Sequence, residues 1–392
     1  MDSSREQFFA PCPRGLESVL VDELKELGAQ DLAPTPGGAG FACSFDLCYR
    51  VNLESRIASR VLWRIWQGFY RSEQDLYEAA AALFWRDWFS VDRTIKVKVS
   101  AQQCPLKSLD FVTLRIKDAV CDAFAKVANA RPSVDTANPD VRIDVFLDAQ
   151  QATLYLDTSG EPLFKRGFRA ARTEAPLREN LAAGILKLAG WTPDQALLDP
   201  MCGGGTFLLE AAQIARCIAP GLGRRFAFEK LNQFDEPLWR TLCDASRARQ
   251  QLETPLGIYG SDVNGAVLDA AKANLKTAGL ADAVTLKQVS ILDMKPPADT
   301  GIMVMNPPYG IRTGEQDDLA GLYPLLGDVL KQRFTGWRAY IFTADLRLPK
   351  LIRLTPSRRT PLFNGALECR LYEFKLVEGS MRRKLPTPAG EA

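Results

Sequence analysis

The chain contains no histidine. That excludes a Ser-His-Asp triad, an imidazole general base and every histidine-bearing metal site, and it favours chemistry done by positioning and hydrogen bonding. The nine cysteines are scattered without a C-x-x-C pair, so neither a zinc site nor a disulfide framework is implied, and no metal is expected. No apolar run reaches the roughly 18 residues that a membrane span needs. The opening Met1-Asp2-Ser3-Ser4-Arg5-Glu6 has neither the basic nor the apolar region of a secretory signal, and a cytoplasmic location is the expectation. An excess of one charge is missing too: the formal net charge is +2, so any nucleic-acid contact must come from local basic patches.

What is present describes a soluble globular chain. Its 392 residues exceed one ordinary core and imply two or three domains, and 46% apolar with 24% charged residues is ordinary globular composition. The pivotal stretch is Gly301-Ile302-Met303-Val304-Met305-Asn306-Pro307-Pro308-Tyr309-Gly310. Its apolar run reads as a buried strand, and the two prolines end it, because proline has no N–H for a ladder and disfavours helix in the residue before it. Asn306 is thereby placed at the strand's carboxyl end, where ligands sit in open parallel α/β sheets. Its amide oxygen and the carbonyl of Pro307 offer two acceptors, which suit one planar amino group. Tyr309 would add a stacking face for a flat substrate. A strand-end turn that merely contains Asn-Pro-Pro is the alternative for these four residues alone. Asn306-Pro307-Pro308-Tyr309 resembles the (D/N/S)-P-P-(Y/F/W) signature of S-adenosylmethionine-dependent methyltransferases that act on amino groups conjugated to a planar system.

At the amino end, residues 7–11 read as a strand, and Leu16, Val19, Leu20, Leu24 and Leu27 have helical spacing closed by Gly28. Phe41 to Phe45 reads as a strand and Asp46 to Leu53 as a short helix. Arg60 to Tyr70 reads as a strand with Val61, Trp63, Ile65 and Gln67 on one face. An alanine-rich helix follows from Ser72. Ile95, Val97 and Val99 then alternate inward with Lys96 and Lys98 outward. A helix from Ser108 to about Ala128 has Phe111, Leu114, Ile116, Val120, Phe124 and Val127 as its apolar positions, and strands at 141–147 and 153–156 form a hairpin. The lysines suit either an RNA-backbone platform or an ordinary solvated surface.

This order, followed by a methyltransferase half, resembles the THUMP-domain rRNA methyltransferases, specifically the bacterial family that methylates guanine N2 in large-subunit rRNA. The resemblance covers nearly the whole chain. It implies an α/β fold: a class I (Rossmann-like) seven-stranded methyltransferase sheet preceded by an α+β ferredoxin-like and THUMP region. It implies a ferredoxin-like domain over 1–68, an RNA-binding THUMP domain over 69–160, a methyltransferase domain over 161–378 and a flexible tail over 379–392. S-adenosyl-L-methionine is the implied cofactor and RNA the implied partner. Lys165, Arg166, Arg169 and Arg172 form the most basic short stretch before the methyltransferase half and read either as a phosphate grip or as a plain linker. Ala175-Pro176-Leu177-Arg178-Glu179 matches the family's A-P-L-(K/R)-E segment.

Residues 195–206, Gln-Ala-Leu-Leu-Asp-Pro-Met-Cys-Gly-Gly-Gly-Thr, carry the strongest local signal: a short strand ending in an acid, a triple-glycine turn and the start of a helix. Asp199, Pro200, Cys202, Gly203, Gly205 and Thr206 match the family's D-P-x-C-G-(S/G)-G-T cofactor loop. A dinucleotide fingerprint is disfavoured because position 208 is leucine where glycine is required. A second strand, Gly257 to Asp262, ends in an acid placed to accept from both hydroxyls of a ribose. Asp293, after a third strand, stands where the family's aspartate accepts from the adenine amino group, and Asn306 borders the same cofactor site. Asp262 and Asp293 are otherwise ordinary loop acids. Residues 219–254 read as an insertion, either a substrate-facing lid or a packed helical excursion. The expected activity is methyl transfer to an exocyclic amino nitrogen of rRNA. Adenine-N6 nucleic-acid methylation, glutamine-N5 protein methylation and non-catalytic RNA binding on a degenerate fold are the alternatives.

Overall fold

Two seven-stranded sheets carry the fold, in a computed structural model that describes residues 5–168, 177–308 and 315–378. Tyr309, Arg169, Arg172, the Ala175-Pro176 pair and the tail from residue 379 lie outside the described residues. The chain divides into two compact units. One comprises residues 1–167, 178–184 and 216–253, and the other comprises 168–177, 185–215 and 254–392.

The first unit begins β1 (Glu6–Pro11), α1 (Glu17–Leu27), β2 (Gln30–Thr35), β3 (Gly38–Cys43), α2 (Phe45–Glu54) and β4 (Leu62–Phe69). It continues α3 (Glu73–Ala81), β5 (Ile95–Ala101), α4 (Leu109–Ala128), β6 (Val141–Leu147) and β7 (Gln151–Asp157). The strand order β2-β3-β1-β4-β7-β6-β5 makes the ferredoxin-like half and the following half one sheet, antiparallel except for β5 beside β6. Strand β4 joins the halves: Phe8 pairs with Trp63 on one side, and Trp63 pairs with Leu156 on the other. Local chemistry fixes the helix ends. Gly28 closes α1 at a left-handed φ of 103°, and Ser72 with Asp75 forms a capping box at α3.

Several expectations need correction here. Phe45 starts α2 rather than ending a strand. In β4 a register shift between Arg64 and Trp66 breaks the alternation, so Val61 and Trp63 are buried while Gln67 is exposed. On α4, Phe111, Leu114 and Val127 are exposed, and the buried stripe runs through Val112, Ile116, Val120 and Phe124. Of residues 219–254, all but the last belong to this unit. Phe228 lies 4.5 Å from the ring of Tyr49, Trp239 closes on Phe226 and Phe228, and α7 (Glu236–Ala248) is capped by Asp235. They form the packed excursion rather than the lid.

The second unit takes in the carboxyl-terminal part of α5 (Glu179–Ala189) from Ile185 on, then β8 (Leu197–Asp199), α6 (Thr206–Ala215), β9 (Ile258–Asp262), α8 (Gly265–Thr277), β10 (Thr285–Gln288) and β11 (Gly301–Met305). It ends with α9 (Glu315–Arg333), β12 (Trp337–Thr343), the single turn α10 (Leu348–Leu351), β13 (Arg358–Asn364) and β14 (Leu367–Lys375). The order β10-β9-β8-β11-β12-β14-β13 is parallel from β10 to β12 and closes with an antiparallel hairpin, the class I methyltransferase sheet. Ile302 to Met305 are fully buried, as a central parallel strand requires. One cluster built on Met303, Met305, Tyr323, Phe334, Trp337 and Ile341 packs α9 against β11 and β12.

Candidate active site

Strand β8 emerges between β9 and β11, so chain direction across the sheet reverses at its carboxyl end. A crevice opens where neighbouring crossovers leave in opposite senses, and ligands bind there in this class of sheet. The register Ile302↔Leu197 and Met303↔Leu198 sets Asp199 opposite Val304. Asn306 therefore lies two residues further on, one strand away, at about 3.3 Å of rise per residue and about 4.8 Å between strands. Asn306 is half-buried, Pro307 buried and Pro308 exposed.

Two glycines shape the loop after Asp199. Gly203 and Gly205 both hold left-handed φ values, 53° and 80°. A Cβ on Gly205 would sit 3.3 Å from that of Ala271, so its absence lets α8 close on the loop. A Cβ on Gly203 would meet nothing within 4 Å, which leaves its outer side open to a ligand. Hydrogen bonds lock the loop: the Cys202 N–H donates to the Ser261 carbonyl (2.9 Å), and the Asn274 amide donates to the Gly204 carbonyl (3.0 Å). Gly203 N–H donates to Asp262 Oδ2 at 3.1 Å, while Asp262 Oδ1 accepts from Asn264 N–H at 2.9 Å. Both Asp262 oxygens are thus oriented by the backbone and retain lone pairs for further donors. Cys202 is buried, its thiol pushed up by burial, and it serves as packing beneath the turn. Pro200 is buried, and Thr206 opens α6.

Asp199 is 2% exposed. Burial first, with the nearby charge of Asp262, pushes its carboxyl up to about 8, against the opposing hydrogen bond from Met201 N–H. A buried acid so placed favours a cationic partner. Asp293 is exposed in the turn after β10. Sequence reasoning missed Val263, an apolar side chain 66% exposed directly after Asp262. The signal was an apolar residue immediately before the Asn264 helix cap. It also missed Ser261 and Asn274, whose role is to hold the glycine loop.

The remaining candidates lie elsewhere. Lys98 is exposed on β5, and Lys96 beside it donates to the Thr136 carbonyl at 2.6 Å. Lys165 is exposed and paired with Glu161, whereas Arg166 is buried with its guanidinium on the carbonyls of Leu163 and Arg56. As a surface phosphate contact Arg166 needs correction: its charge ties the backbone of its own unit. Among the described residues there is no cluster of His, Cys, Asp or Glu that could hold a metal, and no helix long and apolar enough to cross a membrane.

Residues 166–373, which include these site residues, match the family described as RMKL-like, methyltransferase domain. The chain belongs to that family. THUMP and RlmL ferredoxin-like domains match residues 70–157 and 7–62. A large-subunit ribosomal RNA methyltransferase K/L of Shewanella frigidimarina is 38% identical over 97% of this chain and 54% of its own length; that of Syntrophotalea carbinolica is 40% identical over 95% and 54%. The chain thus spans about half the length of these curated relatives. A candidate RNA methyltransferase of Synechocystis, slr0064, is 38% identical over 94% of this chain and 96% of its own length. Among solved structures, the candidate methyltransferase SMU.472, complexed with SAH, superposes with a TM-score of 0.88 at 30% identity, covering 97% of this chain and all of that one. A predicted N6-adenine-specific DNA methylase from Listeria monocytogenes gives 0.87 at 27%, covering 95% and 97%.

Proposed function

We propose that this chain transfers a methyl group from S-adenosyl-L-methionine to an exocyclic amino nitrogen of large-subunit rRNA, with guanine N2 as the target. The observation that carries this reading is the β8–β11 register, which brings Asp199 at the end of one strand and Asn306 just past the end of its neighbour to the switch point. The residues present fit the cofactor. Buried Asp199 suits an ammonium group, the open side of Gly203 admits close approach, Asp262 suits a ribose diol, and exposed Val263 with Asp293 suits an adenine. When bound, the cofactor supplies an activated sulfonium methyl.

The protein's own work is then alignment. Asn306 Oδ1 and the Pro307 carbonyl accept from the two N–H bonds of the target amine. That orients the amine and counteracts conjugation of its lone pair. Tyr309 stacks on the base, and Pro308 keeps the turn extended. Alignment of this kind can supply about 7–11 kcal/mol of barrier reduction. No strong base is required, since the nitrogen's proton becomes acidic once it carries the methyl and is released to solvent. Residues 69–160 serve as the RNA-binding THUMP region, with Lys96 and Lys98 on its sheet, and Lys165, Arg169 and Arg172 support the phosphate backbone. Residues 1–68 and 161–378 are the ferredoxin-like and methyltransferase domains, residues 379–392 a tail, and the cytoplasm is the site of action.

Mass mapping of rRNA incubated with protein and cofactor tests the reading, with DNA and a glutamine-bearing protein substrate alongside. A methylated guanine is expected. Transfer only to adenine, which the Listeria neighbour's name favours, or only to protein would overturn it.

A further inference from the structure

The sheet of the first unit presents flat rings among cations on one face. Along β6 the alternate residues Ile143, Val145 and Leu147 are buried, while Arg142, Asp144 and Phe146 project to the other side. Directly paired residues share a face, so the register extends that side across four strands. Lys98, Asp144, Tyr155 and Arg64 form one row. Ser100, Phe146, Thr153 and Gln67 form the next, and Phe69 opposite Gln151 begins a third. Phe9 on β1, paired with Leu62, lies diagonally beside the first row, its ring 6.2 Å from that of Tyr155. Phe69 is 74% exposed and Phe146 37%.

Rings so exposed contribute little to the core, and their neighbours are polar. Arg64 donates to Gln67 Oε1 at 3.1 Å, and Gln67 donates to Gln151 Oε1 at 3.0 Å, which orders the surface around Phe69. Arg142 is neutralised by Asp144 at 2.8 Å, and Lys96, opposite Arg142 on β5, donates to the Thr136 carbonyl, so among the described residues of these rows Lys98 and Arg64 are the cations nearest the rings. We infer that this face is a stacking platform for unpaired bases of the RNA substrate, with Phe146, Phe69 and Tyr155 as the rings and Lys98 and Arg64 on the phosphates. The inference rests on the RNA reading above and deepens it. Sheet-borne aromatics stack splayed bases in single strands, and a duplex hides those base faces. An acidic peptide would engage the cations but has no use for exposed phenyl rings.

The test is fluorescence anisotropy of the full chain with a labelled single-stranded oligoribonucleotide, the same sequence as a duplex, and polyglutamate. Phe69→Ser and Phe146→Ser should each weaken single-strand binding by about 5- to 150-fold with the melting temperature retained, and Phe146→Tyr should restore it. Lys98→Ala should lower the salt slope by about one. Single-strand affinity within twofold of the parent in both serine variants overturns the platform, as does equal or tighter binding of duplex or polyglutamate. Methyl transfer to rRNA by the parent is measured separately. Ring-dependent binding without transfer would sink the functional reading and keep the platform, and transfer with ring-independent binding would do the reverse.

Discussion

The two sheets have the same number of strands and opposite ways of meeting a ligand. The second unit's sheet is parallel through β12 and buries its central strands, so only the strand ends are available and the candidate groups follow the carboxyl ends of β8, β9, β10 and β11. The first unit's sheet is mostly antiparallel and keeps alternate side chains on a second face, so contacts spread over an area. An edge concentrates a few groups and suits chemistry. A face distributes many weak contacts and suits holding a long polymer.

If that contrast is right, single changes at the edge should be severe and specific, and single changes on the face milder and salt-dependent. Asn306→Ala should lower turnover about a hundredfold, since small misplacements cost that much, while cofactor affinity in calorimetry stays within twofold. Equal losses in both would move Asn306 into the cofactor site. Asp262→Ala should show the converse, with cofactor affinity down about tenfold, the worth of one charge-assisted hydrogen bond; unchanged affinity would remove its ribose role. The third prediction concerns Asp199. Its folded-state carboxyl at about 8 lies above the unfolded value of about 3.9, so the native state binds more protons between those limits. Stability of the cofactor-free protein should therefore fall as pH rises from about 4 to about 8, and Asp199→Asn should flatten that part of the melting-temperature profile. The smallest effect is on the face: Lys96→Ala should weaken RNA binding only a few-fold and nearly uniformly across sequences.

Much of the edge was legible in the sequence because glycine and proline punctuate it. Pro307-Pro308 marks where β11 ends, Gly203 and Gly205 mark the turn, and Asp199 and Asp262 each close a short strand. The face was far less legible. Its rows depend on which strands become neighbours, and pairings such as Arg64 with Tyr155 join residues far apart in the chain that no local periodicity links. Strand β2 was missed because Gln30–Thr35 is mostly exposed and lacks an alternating pattern. The apolar positions predicted for α4 did not separate the exposed Phe111 and Leu114 from the buried stripe, because helical spacing reports a stripe without saying which of two adjacent stripes is covered. Residues 219–253 join the first unit through contacts such as Tyr49 with Phe228, which their position between methyltransferase strands conceals.

Strand β4 has hydrogen-bonded partners on both flanks, β1 and β7, and so serves the ferredoxin-like and THUMP halves at once. Cutting the chain at about residue 68 would strip β7 of its neighbour along its whole length and bare a ladder of seven-residue extent, from Gln151 to Asp157, a template for intermolecular pairing. The amino-terminal 157 residues should accordingly melt in one transition and show a common level of amide-exchange protection across β1, β4 and β7, and a fragment starting after β4 should precipitate rather than refold.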